Sequence, residues 1–165
     1  MITLEEVNKQ NWLDIIRLSS AEDQQNRVFE KTIASNCLSL AQASIEENWT
    51  AKAIYQNDTP IGFTMYGYSD ELSGYEICRI MIDYKFQGNG YGKQALLLVI
   101  KEMVTQFNCD EIFITFVPEN EIAKQLYLSV GFKDTAKVIK AVEDELIYSI
   151  NSVQGDGSCG SNQDH

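Results

Sequence analysis

Only one histidine stands in the 165 residues, and it is the last of them, His165. A histidine-based metal site or a nucleophile–histidine triad therefore has no raw material. The four cysteines, Cys37, Cys78, Cys109 and Cys159, lie too far apart for a CxxC pair, which removes the common zinc and dithiol redox motifs. Cys78 and Cys109 sit in apolar runs and read as small hydrophobes. No apolar run nears the ~18 residues that a membrane-spanning helix needs. Met1-Ile2-Thr3-Leu4-Glu5-Glu6 lacks the basic and apolar regions of a signal peptide, so the expected location is cytoplasmic. Positive charge is scarce as well: 13 Lys and Arg face 24 Asp and Glu, for a net charge of −11. Such a surface repels phosphate backbones and anionic lipid, so neither nucleic acid nor membrane is an expected partner. Residues 1–75 carry five basic and eleven acidic side chains, and a cationic ligand would be sought there. The same acidity also serves solubility with no ligand at all.

What is present suits one globular domain with a real core: 44% of the residues are apolar. Ile2–Val7 alternates as a half-buried strand would. Trp12, Ile15, Ile16 and Ser19 follow at helical spacing, and residues 20–36 are polar without a clear pattern. Leu38–Glu47 reads as a helix with Leu38, Ala41 and Ile45 on its apolar face, capped by Ser39 or Asn36. Ala51–Tyr55 and Ile61–Tyr68 are strand-like, and Asn57-Asp58-Thr59-Pro60 between them makes a hairpin turn. Tyr75–Ile82 is a further strand. Leu96, Val99, Ile100, Met103 and Phe107 trace the buried face of a long helix. Glu111–Val117 has the unbroken apolar character of a central strand. Pro118–Val130 reads as a second long helix with Gly131 just past its end. Weaker strands follow near 132–140 and 144–150. The β-α-β step over 75–117 predicts two parallel strands, and the hairpin predicts antiparallel neighbours. The expected class is a mixed α/β sheet with helices on both faces, in a domain spanning 1–150. Residues 151–165 are expected to form a flexible tail.

Between the strand and the long helix stands Gln87-Gly88-Asn89-Gly90-Tyr91-Gly92-Lys93. Alternating glycines free the backbone for unusual φ values and close approach. The helix that follows offers unpaired amides and a partial positive charge, with Lys93 adding a full one. The stretch is thus a candidate cradle for a phosphate or pyrophosphate. It does not fit the P-loop spacing, and Lys93 stands where a dinucleotide fingerprint needs glycine.

The run Gln87–Gly92 resembles the Q/R-x-x-G-x-G/A signature of the GCN5-related N-acetyltransferases. The apolar strand Ile80-Met81-Ile82 before it and the long helix after it match that family's pattern, and Asn120, Ala123, Leu126-Tyr127 and Gly131-Phe132 further on resemble its second cofactor-binding helix. The likeness covers roughly 1–150. Its stretch 80–132 and the helix Ser39–Ala43 look most like bacterial spermine/spermidine acetyltransferases. The resemblance implies a mostly antiparallel sheet of six to seven strands around the parallel β-α-β unit. It also implies acetyl-CoA as co-substrate, no metal, direct transfer to a small amine, polyamines foremost, and a homodimer among possible assemblies. Main-chain groups at Ile80, Met81 and Ile82 would pair with the pantetheine arm. Gln87, Gly88, Asn89, Gly90, Tyr91, Gly92 and Lys93 would hold the pyrophosphate, and Asn120 would touch the cofactor from the next helix. Tyr127 takes the place of the general acid that protonates the leaving thiolate.

An amine nucleophile must shed a proton, and Glu76 is the candidate base. Alternation places it on one face with Cys78, Ile80 and Ile82. The other reading of Glu76 is a solvated strand-end side chain. Where polyamine enzymes often carry acids on this strand, this chain has Cys78 and Arg79. Asp23, Glu30, Glu46, Glu47, Asp70 and Glu71 are candidate acceptor-side charges, and Trp12, Trp49 and Tyr55, Tyr66, Tyr68 and Tyr75 candidate walls of an amine channel. An aminoglycoside-like drug, an amino acid or a protein amine would serve the same reaction. A coenzyme A sensor without turnover is the rival reading.

Overall fold

The protein is described from a computed structural model that covers residues 1–20 and 35–152. The elements run β1 (Ile2–Glu6), α1 (Trp12–Arg17), α2 (Asn36–Ile45), β2 (Trp49–Gln56), β3 (Thr59–Ser69), β4 (Gly74–Ile82), α3 (Tyr91–Phe107), β5 (Glu111–Phe116), α4 (Glu121–Val130), β6 (Lys133–Lys140) and β7 (Asp144–Asn151). They build one seven-stranded sheet in the order β1-β2-β3-β4-β5-β7-β6. Every neighbouring pair is antiparallel except β4 and β5, the two strands joined through α3. Asn57 takes φ 54° in the β2–β3 turn, a conformation that asparagine tolerates.

Apolar spacing decides which face each helix covers. Leu96, Val99 and Met103 of α3 and Tyr127 of α4 pack with Ile77, Ile112, Ile114 and Tyr148 on one face. Ile15 of α1 and Leu40 and Ala43 of α2 pack with Ala53, Phe63, Met65, Cys78 and Met81 on the other. Fully burying side chains of this size contributes about 1.5–3 kcal/mol each. A charged cluster also ties α3 down: the Tyr66 hydroxyl donates to Glu102 at 2.5 Å, and Lys52 bridges Glu102 and Glu6.

Three expectations change. Helix α2 starts earlier, at Asn36, and its cap is Ser35, whose Oγ accepts from the Leu38 amide at 3.1 Å. Its buried side carries Asn36 and Ser39, while Leu38 and Ile45 are 46% and 79% exposed. Leu40 and Ala43 share this inward side, and Asn36 Nδ2 donates to the Ile15 carbonyl at 2.9 Å, satisfying the buried amide against α1. Helix α4 begins at Glu121, with Pro118 and Glu119 in the turn before it. The alternation of β4 is broken as well. Met65 lies opposite Arg79 and Tyr66 opposite Ile77, so Cys78 is the extra residue of a β-bulge. The phase flips there. Ile77, Ile80 and Ile82 face α3, whereas Cys78 and Met81 face α1 and α2. Glu76 therefore does not share a face with Ile80 and Ile82.

The parallel pairing stops early. Tyr75, Glu76 and Ile77 lie opposite Ile112, Phe113 and Ile114, and beyond them β4 and β5 part. Residues 21–34 and 153–165, including Asp23 and Glu30 and nearly all of the expected tail, lie outside the described residues. Among the described residues no helix is long and apolar enough to cross a membrane.

Candidate active site

Gly88 and Gly90 hold φ values of 80° and 76°, in the left-handed region. A Cβ at either would meet no atom within 4 Å, so backbone conformation alone selects glycine there. Gly92 differs, because it lies inside α3 with no positive φ. A Cβ there would make ordinary contacts, 3.8 Å from Leu126 and 3.9 Å from Ile82. Neither conformation nor crowding demands glycine at 92, yet this residue lines the cavity described below. Helix α3 opens on Gly90 with no side chain over its first amides.

Asp83, which sequence reasoning passed over, fixes the approach to this turn. Its buried carboxylate accepts from the Ser19 amide at 2.9 Å and the Lys85 amide at 3.0 Å. Gln87 Nε2 donates to the Ile82 carbonyl at 2.9 Å, tying the turn back to β4. Asn89 Nδ2 donates to the Phe86 carbonyl at 3.0 Å and the Gln87 carbonyl at 3.3 Å. Its side chain braces the turn and does not line the cavity.

The parting of β4 from β5 opens a cavity of about 460 Å³. Ile80, Met81, Ile82, Gln87, Gly88, Gly90, Tyr91, Gly92, Lys93, Asn120 and Tyr127 line it, so the structure gathers nearly all the cofactor-side candidates. Ser20, Phe86, Ile122, Ala123 and Leu126 complete the wall. The periodicity of α4 carried the signal for Ala123 and Leu126, which stand three and six residues after Asn120. One departure concerns Ile82, whose carbonyl is already taken by Gln87. The stretch of β4 beyond Ile77 has no strand partner on its β5 side. Asn120 caps α4, its Oδ1 accepting from the Ala123 amide at 3.2 Å.

Tyr127 is held by the end of its own helix. Gly131, at φ 107°, closes α4, and the Phe132 amide donates to the Tyr127 carbonyl at 3.1 Å. This swings Phe132 against the Tyr127 ring, with centroids 5.9 Å apart, while Phe116 packs edge-on at 5.3 Å. The Tyr127 side chain is buried, and its hydroxyl makes no hydrogen bond among the described residues. Burial, aided by the charge of Glu145, pushes this hydroxyl well above the usual tyrosine range. It is a full proton donor at neutral pH.

Glu76 does not line the cavity. It lies buried on the opposite face, 9% exposed, where Thr115 Oγ1 donates to its Oε1 at 3.5 Å. The solvated reading is thereby excluded. Burial raises its carboxyl above the usual range, and the charges of Glu145 and Glu71 add to this. A Ser69 hydrogen bond and the Arg79 charge oppose it. A carboxyl so placed accepts a proton more readily than a surface glutamate. Burial pushes the Cys78 thiol up to about 12, so it does not supply a thiolate.

Of the candidate channel aromatics, Tyr66 and Tyr75 fall on the α3 side, where both pack with Phe107. Tyr68 stands edge-on to Tyr75 at 5.4 Å. Tyr55 packs into the α1–α2 side of the core. Trp12 is 45% exposed on α1, and Trp49 Nε1 donates to Glu46 at 2.9 Å. Glu46 also accepts from Gln42 at 3.0 Å. Glu47, Asp70 and Glu71 are exposed.

The comparisons with known proteins agree with this geometry. The spermine/spermidine N(1)-acetyltransferase of Bacillus subtilis is 29% identical over 86 residues, covering 48% of this chain and 57% of that protein. The chain thus matches a little over half the length of that relative. The solved structure of Vibrio cholerae spermidine N-acetyltransferase, in complex with CoA and spermine, superposes with a TM-score of 0.73 at 17% identity, over 92% of this chain and 96% of that one. The ribosomal-protein-S18-alanine N-acetyltransferase of Escherichia coli superposes with a TM-score of 0.66 at 16% identity, over the full length of both. These two likenesses establish the fold. Residues 11–132 match the family model for acetyltransferases of the GNAT family, and a match of that extent means that the chain belongs to this family.

Proposed function

We propose that the protein is an N-acetyltransferase that moves an acetyl group from acetyl-CoA to the amine of a small cationic acceptor, with polyamines such as spermidine as the acceptor class. One observation carries the reading: the same cavity is lined both by a left-handed glycine turn at a helix start and by a buried tyrosine whose hydroxyl makes no hydrogen bond among the described residues. An anion cradle alone would serve a binding protein. A proton donor set into the same cavity serves a reaction that releases an anionic leaving group.

The residues fit such a co-substrate. The uncapped amides of α3 and Lys93 would hold the pyrophosphate. The apolar wall of Ile80, Ile82, Ala123 and Leu126 would enclose the arm and exclude water. The free side of β4 near Ile80 and Met81 would pair with its amides as a strand does. When bound, acetyl-CoA supplies a thioester whose acyl carbon accepts the amine and whose sulfur leaves as thiolate. Glu76 takes the proton that the ammonium form of the acceptor must lose. The Tyr127 hydroxyl gives its proton to the sulfur. The Bacillus and Vibrio relatives support a polyamine acceptor, whereas the Escherichia coli protein acts on a ribosomal-protein alanine. Fold alone does not choose between these acceptors.

The test measures thiol release from acetyl-CoA with a panel of spermidine, spermine, an aminoglycoside, free amino acids and a peptide N-terminus. Turnover with the first two at lower KM than with the others is the expected result. Turnover only with the others moves the acceptor class and keeps the reaction. Absence of turnover with every amine, together with measurable coenzyme A binding, leaves a binding protein.

A further inference from the structure

The pairing of β5 with β7 brings to the reaction centre a residue that no motif announces. Leu146, Tyr148 and Ile150 pack toward α3 and α4, so strand alternation turns Glu145 and Ile147 to the other face. Ile147 lies opposite Thr115 and Leu146 opposite Phe116. Glu145 therefore stands one step past the last paired residue of β5, at the end where β4 has already left that strand. Phe116, the partner of Leu146, is the ring that packs against Tyr127.

From this position one carboxylate acts on three groups from two elements. Its charge adds to the effect of burial on Glu76 and Cys78 of β4 and on Tyr127 of α4. Glu145 is half-buried, and its carboxylate makes no hydrogen bond or ion pair with any described residue. On β4, Arg79 Nη1 donates to the Cys78 carbonyl at 2.7 Å and to Cys78 Sγ at 3.2 Å. Arg79 offsets part of the negative charge at Glu76, while Glu145 has no partner among the described residues, so a further cation is favoured beside it.

We propose that Glu145 anchors the ammonium group of the acceptor amine, holding it between itself, Glu76 and the Tyr127 hydroxyl. The proposal rests on the acyl-transfer reading and extends it to a specificity residue on β7. Glu145 keeps its charge and binds, whereas Glu76 takes the proton. The two glutamates therefore separate in kinetics: Glu145 governs KM for the amine, and Glu76 governs kcat.

The experiment measures spermidine, 1,4-diaminobutane and a monoamine by calorimetry on the coenzyme A complex of the wild type and of Glu145→Gln and Glu145→Asp, with steady-state kinetics alongside. A charge-assisted contact at a half-buried site corresponds to a tenfold to hundredfold weakening, on the order expected for such bonds. Glu145→Gln weakens amine binding and raises amine KM by that factor, with coenzyme A affinity held within about twofold. Glu145→Asp, which keeps the charge, restores most of the binding. An unchanged amine Kd in Glu145→Gln overturns the assignment, as does equal loss in the Asp variant or lack of binding of every amine to the wild type. The calorimetry reads no turnover, so an inactive wild type would sink the transfer reading and still leave the anchor decided.

Discussion

On the α3 side of β4, the cavity is assembled from one unbroken stretch, residues 80–93, and one face of α4. On the α1–α2 side, the polar groups come from separate places: Ser69 on β3, Glu76 and Arg79 on β4, Thr115 on β5 and Glu145 on β7. The first side offers main-chain amides and an apolar wall, which suit a ligand part common to many reactions. The second offers side chains alone. A change of one residue can retune the second side, while the first resists change because its conformation is its function. Solved relatives of the same fold that act on spermidine and on a ribosomal-protein alanine differ in acceptor, which this division allows.

The largest effect is expected from Tyr127→Phe, since this side chain lines the cavity from α4 and its hydroxyl feels the charge of Glu145. Loss of a positioned proton donor lowers kcat by about 10²–10³. Acetyl-CoA affinity, measured by calorimetry, stays within about twofold because the turn and the wall remain. Equal loss of both would mean that the tyrosine serves the cavity's shape and not its chemistry.

Glu76→Gln comes next, with a drop in kcat of roughly tenfold to hundredfold. Its folded-state pKa is raised, chiefly by burial, so the charged form is the one that costs stability. The contribution is favourable below the unfolded carboxylate range and is lost as pH rises through the raised value. At neutral pH the neutral amide removes that cost, so the melting temperature of Glu76→Gln does not fall. A variant both inactive and markedly less stable would instead mark a structural role.

The α3 side is sharpened by a pair of glycine variants. Gly90→Ala forces a side chain into the left-handed region at a cost of about 1–2 kcal/mol, so thermal stability falls along with coenzyme A affinity. Gly92→Ala meets only ordinary contacts and favours the helix by up to about 1 kcal/mol. Its methyl group projects where the ligand must approach, and affinity for coenzyme A falls about tenfold with no loss of stability. Equal affinity in Gly92→Ala would show that the cavity is not used at that point.

How much of this was legible in the sequence follows the same division. The glycine turn, the Tyr127–Phe132 closure and the parallel β4–β5 step depend on neighbours within a few residues or on a single crossover, so pattern and spacing carry them. The bulge at Cys78 depends on the register of β4 against β3, and alternation counted along one strand places Glu76 with the wrong partners. The inward face of α2 carries Leu40 and Ala43 together with Asn36, which bonds to the Ile15 carbonyl, a contact between distant segments that the apolar spacing of Leu38, Ala41 and Ile45 does not reveal. Glu145 is the last of three consecutive acids, Glu143-Asp144-Glu145, which read together as a solvated turn, and only the pairing of β7 with β5 sets it apart and brings it near Tyr127.

The smallest effect is the most specific test of that last placement. With Glu76 as the base, kcat rises with pH as its carboxyl ionises and then levels off. The groups that set its midpoint are burial first, then Ser69 and Arg79, which favour the charge, against Glu145 and Glu71, which oppose it. Glu145→Gln removes one opposing charge, so Glu76 ionises more easily and the acid limb of kcat moves to lower pH. Glu145→Asp keeps the charge and leaves the limb nearly in place. Added salt moves the wild-type limb in the same direction by screening, and moves the Gln variant less. A limb that stays fixed in Glu145→Gln would separate β7 from the proton-transfer step. A limb that moves upward would mean that a group other than Glu76 is titrating.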